Sequence, residues 1–258
     1  MLTVKVNGFS QAYERQGTGL PLVLVHGYPL DHTIWEPVLP LLEKQFDLVV
    51  PDLRGFGGSA VSPSVYLLTD LAADLAALLD SLRIEKAAVA GHSMGGYVAL
   101  AFAHAYPGRT LGLGLVASQA LADSPERKSA RAREAEHVLA NGVGDVAEDM
   151  SKKLTANPSL QARLKELILR QPPAALAGAL RAMAGRPDST PFLPEFDFPV
   201  ALIHGLADGL VPVERARAVQ AAVKDGHLTE VPGAGHMPML EAPSVTAEGL
   251  AWLLEKTG

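Results

Sequence analysis

The sequence predicts an α/β fold, a mostly parallel sheet with helices on both faces, interrupted once by an all-helical insertion. Three observations lead there. Short apolar runs alternate with helical periodicity from residue 22 to 117, and strand patterning returns after 198. Strand signals vanish between 119 and 191, a stretch without Phe, Tyr or Trp. Finally, Gly91-His92-Ser93-Met94-Gly95-Gly96 closes the apolar run Ala87–Ala90 and opens the helical pattern of Tyr97 to Tyr106.

In chain order, residues 2–6 and 9–16 read as two strands joined at Asn7-Gly8, a tight-hairpin dipeptide. Strands at 22–26 and 46–50 flank a short helix near 36–44, which Trp35 enters with an apolar face. A loop follows at 51–64. From Tyr66 to Leu82, Leu67, Leu71, Leu75, Leu78, Leu79 and Leu82 form a helical stripe. Next come a strand at 86–90, a helix at 94–106 and a strand at 111–117. In the insertion, Asn141-Gly142, Asn157-Pro158, Pro172-Pro173 and Gly185-Arg186-Pro187 break the helical pattern into three or four helices. Strand pattern resumes at 198–200 and continues through 228–231, before a closing helix at about 243–255. The expected organisation is therefore a core domain of residues 1–118 and 192–258, with a helical cap of residues 119–191. No internal repeat or low-complexity tract occurs.

Composition bounds the function. The chain has 258 residues, 48% hydrophobic and 19% charged, with a net charge of −6. That is the profile of a globular domain, and its acidity argues against a nucleic-acid surface. It has no cysteine, which excludes disulfides and thiol chemistry. The N-terminus alternates like a strand rather than presenting the apolar core of a signal peptide. No apolar run approaches the roughly 20 residues of a membrane span. A cytoplasmic location without membrane or nucleic-acid partners is the expectation; the oligomeric state is left open. The glycines of 52–59 suggest a phosphate cradle, but the Lys and spacing of a P-loop are missing, so a structural turn is expected.

The chemistry centres on Ser93. A serine at G-x-S-x-G, between a strand and a helix, sits on a tight turn where neighbouring Cβ atoms would collide. Its hydroxyl is presented to a cleft beside the N–H groups of a helix start. A lone serine is a weak nucleophile, so a base and a group to orient it are required. Asp208, in Gly205-Leu206-Ala207-Asp208, follows the strand pattern at 200–204. His236 lies in the Gly-rich loop Gly233-Ala234-Gly235-His236. His26, His204 and His227 fall at strand ends, and His104 and His137 in helical patterns, where packed or solvated roles suit them better. An oxyanion hole needs two N–H donors: Met94, after the nucleophile, and Tyr28, in the turn His26-Gly27-Tyr28-Pro29. The Tyr28 side chain suits either an acyl-pocket wall or packing. The histidines and carboxylates show no metal-ligand spacing, so no metal and no cofactor are expected.

These residues carry a resemblance. Leu24-Val25-His26-Gly27-Tyr28-Pro29, Pro51-Asp52-Leu53-Arg54-Gly55-Phe56-Gly57-Gly58-Ser59, the elbow at 91–96, Gly205-Leu206-Ala207-Asp208 and His236-Met237-Pro238-Met239-Leu240-Glu241-Ala242-Pro243 match in register the signatures of the α/β-hydrolase superfamily. Over nearly its whole length the chain is similar to small bacterial carboxylesterases and 3-oxoadipate enol-lactonase-like hydrolases. The order Ser, Asp, His along the chain is that of this fold. The resemblance implies an eight-stranded sheet and a Ser93–Asp208–His236 triad cleaving small carboxylic esters or lactones through an acyl-enzyme. Ser93 stands where similar haloalkane dehalogenases and epoxide hydrolases carry aspartate. His92 stands where related carbon–carbon bond hydrolases commonly carry Asn. Enol-lactone hydrolysis, carbon–carbon bond hydrolysis and cofactor-free perhydrolysis remain rivals within the fold, and a non-catalytic binding protein a rival outside it.

Specificity is expected to lie in the cap. Its 11 Lys/Arg and 9 Asp/Glu give it a net +2, mostly as solvated helix faces. A minority reading turns Arg131, Arg181 or Arg186 inward to hold a substrate carboxylate. Met150 and Met183, with Leu160, Leu164 and Leu180, offer an aliphatic lining for substrate, or equally ordinary core.

Overall fold

The structure is a computed structural model and describes residues 1–61 and 65–257. The end of the loop expected at 51–64 lies outside the described residues. Strands β1 (Leu2–Val6) and β2 (Phe9–Gly17) form a hairpin in which Val6 faces Phe9. Asn7 and Gly8 take φ of 43° and 87°, the left-handed pair that a two-residue hairpin with right-handed twist needs. β3 (Leu20–Val25), α1 (Leu39–Leu42), β4 (Phe46–Pro51), α2 (Leu68–Ser81), β5 (Ala87–His92), α3 (Met94–Ala105) and β6 (Thr110–Val116) follow. After four further helices come β7 (Val200–Gly205), α8 (Glu214–Ala222), β8 (Gly226–Val231), α9 (Pro238–Glu241) and α10 (Pro243–Thr257).

The eight strands form one sheet in the order β1-β2-β4-β3-β5-β6-β7-β8. β1–β2 and β2–β4 are antiparallel and every later pair is parallel. Alternate side chains divide between two cores. Val23, Val25, Val49 and Val89 pack with α2 and α3, whereas Leu22, Leu24, Leu48 and Val50 pack with α1 and α10. Strands buried on both faces read as continuous apolar runs, which is how these appeared in the sequence. The leucine stripe differs at one end. Leu67 is 52% exposed and precedes the helix, where its N–H donates to the Asp70 carboxylate at 2.7 Å. The helix begins one residue later because Asp70 satisfies an amide that has no partner a turn back.

Between β6 and β7 the chain builds α4 (Pro125–Asn141), α5 (Gly144–Leu154), α6 (Pro158–Leu169) and α7 (Pro173–Ala184). The breakers become helix boundaries. Ser124 and Asn157 cap α4 and α6 through their side chains, each followed by proline at the first helical position. α4 packs on α7, and α5 on α6. Leu176 and Leu180 of α7 join one core, while Leu164, Leu167 and Ile168 of α6 join the other, so the insertion is seated on the sheet domain by apolar burial. Gln171 adds a polar tie between the two. Its Nε2 donates to Asp31 at 3.1 Å and its Oε1 accepts from the Gly57 N–H at 3.0 Å. The glycine turn at 52–59 is thus occupied by protein: Gly58 N–H donates to Asp52 at 2.8 Å. Among the described residues no helix is long and apolar enough to cross a membrane.

Candidate active site

Ser93 sits between β5 and α3 with φ 50° and ψ −111°, a left-handed conformation rare for a residue with a Cβ and costing about 1–3 kcal/mol. The surroundings hold it there. Ser93 N–H donates to Val116 O at 2.9 Å, and Ser93 O accepts from Gly96 N–H at 2.9 Å and Ser118 Oγ at 2.8 Å. A Cβ on Gly91 would strike the Gly95 backbone, and one on Gly95 the Val25 carbonyl. The elbow is therefore pressed against β3 more closely than any side chain allows.

Asp208 follows β7 with its carboxylate fully buried. One oxygen accepts the N–H groups of Leu210 (2.8 Å) and Val211 (3.0 Å); the other lies 2.7 Å from His236 Nδ1. Burial pushes the carboxyl upward, but the His236 hydrogen bond and charge and the two amides outweigh it, so it sits below the ordinary carboxylate range. An ionised carboxylate only accepts, so Nδ1 carries a proton, and in the neutral ring the lone pair lies on Nε2.

The loop bearing His236 is fixed at four main-chain atoms. Gly235 and Met237 N–H donate to Glu241 Oε2 at 2.8 and 3.2 Å, and His236 N–H donates to Leu154 O at 3.2 Å. His92 Nε2 lies 2.8 Å from His236 O and donates to it. Thr155 Oγ donates to the other Glu241 oxygen at 2.5 Å. The sequence alone assigns His92, Glu241, Leu154 and Thr155 no part in building this site. His92, inside the elbow motif, and Glu241, inside the His236–Pro243 signature, carry a local signal; Leu154 and Thr155 act across the fold.

A cavity of about 540 Å³ opens over these residues, lined by Ser93, His236, Tyr28, Met150 and Met183 among others. Tyr28 is 9% exposed and both lines this cavity and joins the core, with its phenol pKa raised by burial. Met94 is the first residue of α3, and among the described residues neither its N–H nor that of Tyr28 is hydrogen-bonded. Of the aliphatic residues weighed between lining and core, Met150 and Met183 line the cavity, whereas Leu164 and Leu180 are buried in the cores and, like Leu160, do not line it, because the apolar faces of α6 and α7 pack onto the sheet domain. Instead α4 and α5 present charge: Arg127, Arg131, Glu134, Asp145, Asp149 and Lys153. His137, expected to be packed or solvated, lines the cavity as well and faces Asp145 at 2.9 Å.

The three arginines separate. Arg181 points outward to Glu136 at 2.6 Å. Arg186 is buried behind the Tyr97 ring, bonded to Asp123 and to the Met183 and Leu121 carbonyls, and does not line this cavity. Arg131 lines the cavity. Elsewhere, Asp31, His32 and Asp52 bring three metal-type ligands together, but Asp52 already takes His32 N–H, His32 Nδ1 and Gly58 N–H. That cluster does not line the cavity.

Comparison with known proteins gives this architecture its relatives. A thermophilic esterase from Thermogutta terrifontis, solved with malate bound, superposes with a TM-score of 0.94 at 39% identity, covering 99% of this chain and 97% of that one. The enol-lactonase of Burkholderia xenovorans shares the fold, with a TM-score of 0.91 at 23% identity over 99% of this chain and 100% of that one. A soluble epoxide hydrolase of Corynebacterium is 39% identical over 99 residues, which is 38% of this chain and only 35% of that protein. The alpha/beta hydrolase fold model matches residues 21–243. The eight-stranded sheet, the elbow after β5 and these matches together place the chain in the α/β-hydrolase family.

Proposed function

We propose that this hydrolase-family chain is a serine hydrolase that cleaves small carboxylic esters or lactones through an acyl-enzyme, with Ser93, Asp208 and His236 as its triad. One observation carries the reading. Asp208 and His236 are hydrogen-bonded at 2.7 Å, on the side of the ring that leaves Nε2 free, and His236 shares its cavity with the strained Ser93. Serine rather than aspartate at the elbow favours acyl transfer over the chemistry of the epoxide hydrolases.

In this mechanism Ser93 Oγ attacks the ester carbonyl carbon as His236 Nε2 takes the hydroxyl proton. Asp208 holds the ring and stabilises its cation. The oxygen of the tetrahedral intermediate becomes negative, and the N–H groups of Tyr28 and Met94 are the donors assigned to it. Collapse breaks the bond to the leaving oxygen, which takes the proton from His236. Water then attacks the acyl-Ser93 carbonyl as His236 takes its proton; collapse breaks the bond to Ser93 Oγ, which recovers that proton from His236, and the acid is released. No cofactor is assigned a step.

The test is hydrolysis of p-nitrophenyl acetate and butyrate by the wild type and by Ser93→Ala. The proposal expects turnover with an acyl-enzyme burst in the wild type, and loss of at least about 10³-fold in the variant. Turnover that survives Ser93→Ala would refute it.

A further inference from the structure

Arg131 is the cavity's unspent cation. Its side chain is 91% buried, yet only Nε is engaged, with Asp123 Oδ2 at 2.5 Å. Its two terminal nitrogens make no hydrogen bond to any described residue, and the residue lines the cavity that holds Ser93 and His236. Asp123 does not balance the local charge, because it also accepts from Arg186 at 2.9 Å. Two buried guanidinium groups thus share one buried carboxylate. Arg186 cannot relay the surplus, since its own donors end on Asp123 and two carbonyls behind Tyr97.

The other Lys and Arg cations on this wall are already paired. Arg127 pairs with Glu134 at 2.9 Å and Lys153 with Asp149 at 2.6 Å. These pairs are about half exposed and screened by solvent. Arg131 differs from them in being largely buried, with a single Nε bond to a shared carboxylate and terminal N–H donors left for an anionic ligand. A planar fork held at Nε by Asp123 matches a carboxylate bidentately.

We infer that Arg131 binds a carboxylate carried by the substrate, so that the site takes half-esters of short dicarboxylic acids. Asp123 orients the fork and Arg186 keeps Asp123 from cancelling it. The inference rests on the ester-hydrolase reading above and narrows its substrate class.

The experiment compares the monomethyl esters of succinate, glutarate and adipate with the methyl esters of the matching neutral acids. The ratio of anionic to neutral kcat/KM is read in the wild type, Arg131→Gln and Arg131→Lys. Glutarate serves as an inhibitor of p-nitrophenyl acetate hydrolysis. At least one half-ester should be preferred, with the ratio falling about 10- to 100-fold in Arg131→Gln and partly recovering in Arg131→Lys. The glutarate inhibition constant should rise about tenfold or more in Arg131→Gln. Asp123 keeps Arg186 as its partner in both variants. Should either still fail to fold, the wild-type ratios and glutarate inhibition decide the matter. Half-esters no better than neutral esters throughout the series, or a ratio indifferent to Arg131→Gln, would overturn the inference while leaving Ser93-dependent ester cleavage intact. Absence of ester cleavage would instead remove the parent reading.

Discussion

His92 donates from Nε2 to the main-chain carbonyl of His236 across 2.8 Å, and the two rings meet edge-on with centroids 4.9 Å apart. The residue before the elbow serine is therefore bonded to the backbone of the imidazole proposed as its base. One bond fixes the spacing between the end of β5 and the His236 loop, 144 residues apart in sequence. Among the described residues, His92 Nδ1 has no partner. Burial first, then the neighbouring His236 ring, bring the His92 pKa down to about 3, against the upward pull of the carbonyl bond and of Asp208.

That burial predicts an acid-sensitive fold. The ordinary histidine value is 6.5 and the folded value about 3, so between them the unfolded chain binds a proton that the folded chain refuses. Stability falls as pH falls through this window, by up to about 1.4 kcal/mol per unit from this group. His26 and His204 are also lowered by burial, and the depressed Asp52, Asp123 and Asp208 lose their contribution at still lower pH. His92→Asn removes the titration while leaving a donor near the carbonyl. Urea unfolding from pH 7 to 4 should show a shallower loss of stability in this variant by as much as one proton. His92→Leu lacks the donor as well and should lose at least about tenfold in kcat. Identical slopes for wild type and His92→Asn would remove His92 from this role.

Glu241 should matter to turnover without touching substrate. It accepts two amides of the His236 loop and the Thr155 hydroxyl. Glu241→Ala leaves those amides unsatisfied, at a cost of about 1–3 kcal/mol each where water cannot replace the carboxylate. We expect kcat to fall about 10- to 100-fold with KM changed less, and Thr155→Val to show the same split more weakly. Equal effects on kcat and KM, or a silent Glu241→Ala, would contradict the positioning role.

The elbow should refuse even one methyl group. Gly95→Ala drives a Cβ into the Val25 and His26 carbonyl oxygens, and Gly91→Ala one into the Gly95 backbone. Backbone cannot rotate aside as a side chain does, so each should destabilise by about 3 kcal/mol or more, visible as a lower Tm. Gly108→Ala, where a Cβ meets nothing within 4 Å, is the control.

Asp208→Asn retains the shape of the carboxylate but can present an N–H to Nδ1, favouring the wrong imidazole tautomer. Turnover should drop by up to about 10⁴-fold with the fold intact by circular dichroism. Near-normal turnover at neutral pH would assign the orienting role to another carboxylate.

Legibility from the sequence followed locality. The elbow, the hairpin at Asn7-Gly8 and the helix boundaries at Asn157-Pro158 each depend on backbone constraints within a few residues, and the residue types declare them. Leu67 misled because its spacing fits the α2 stripe, while an Asp70 side-chain cap settles where the helix starts. The clamp on His236 is legible only in part: Glu241 follows within the His236–Pro243 signature, whereas Leu154 and His92 reach the loop only once the sheet and the insertion are assembled. The cap's charge told little by its net value. What distinguishes Arg131 from Arg181 is a partner count in three dimensions, Arg181 having Glu136 to itself and Arg131 sharing Asp123.

In the proposed reaction Ser93 carries the acyl group, and labelling of the wild type with a fluorophosphonate, followed by peptide mass spectrometry, reads this out directly. A single adduct is expected on the peptide containing Ser93, formed with loss of esterase activity and absent in Ser93→Ala. An adduct mapped to another serine, or inactivation of Ser93→Ala at the wild-type rate, would contradict it.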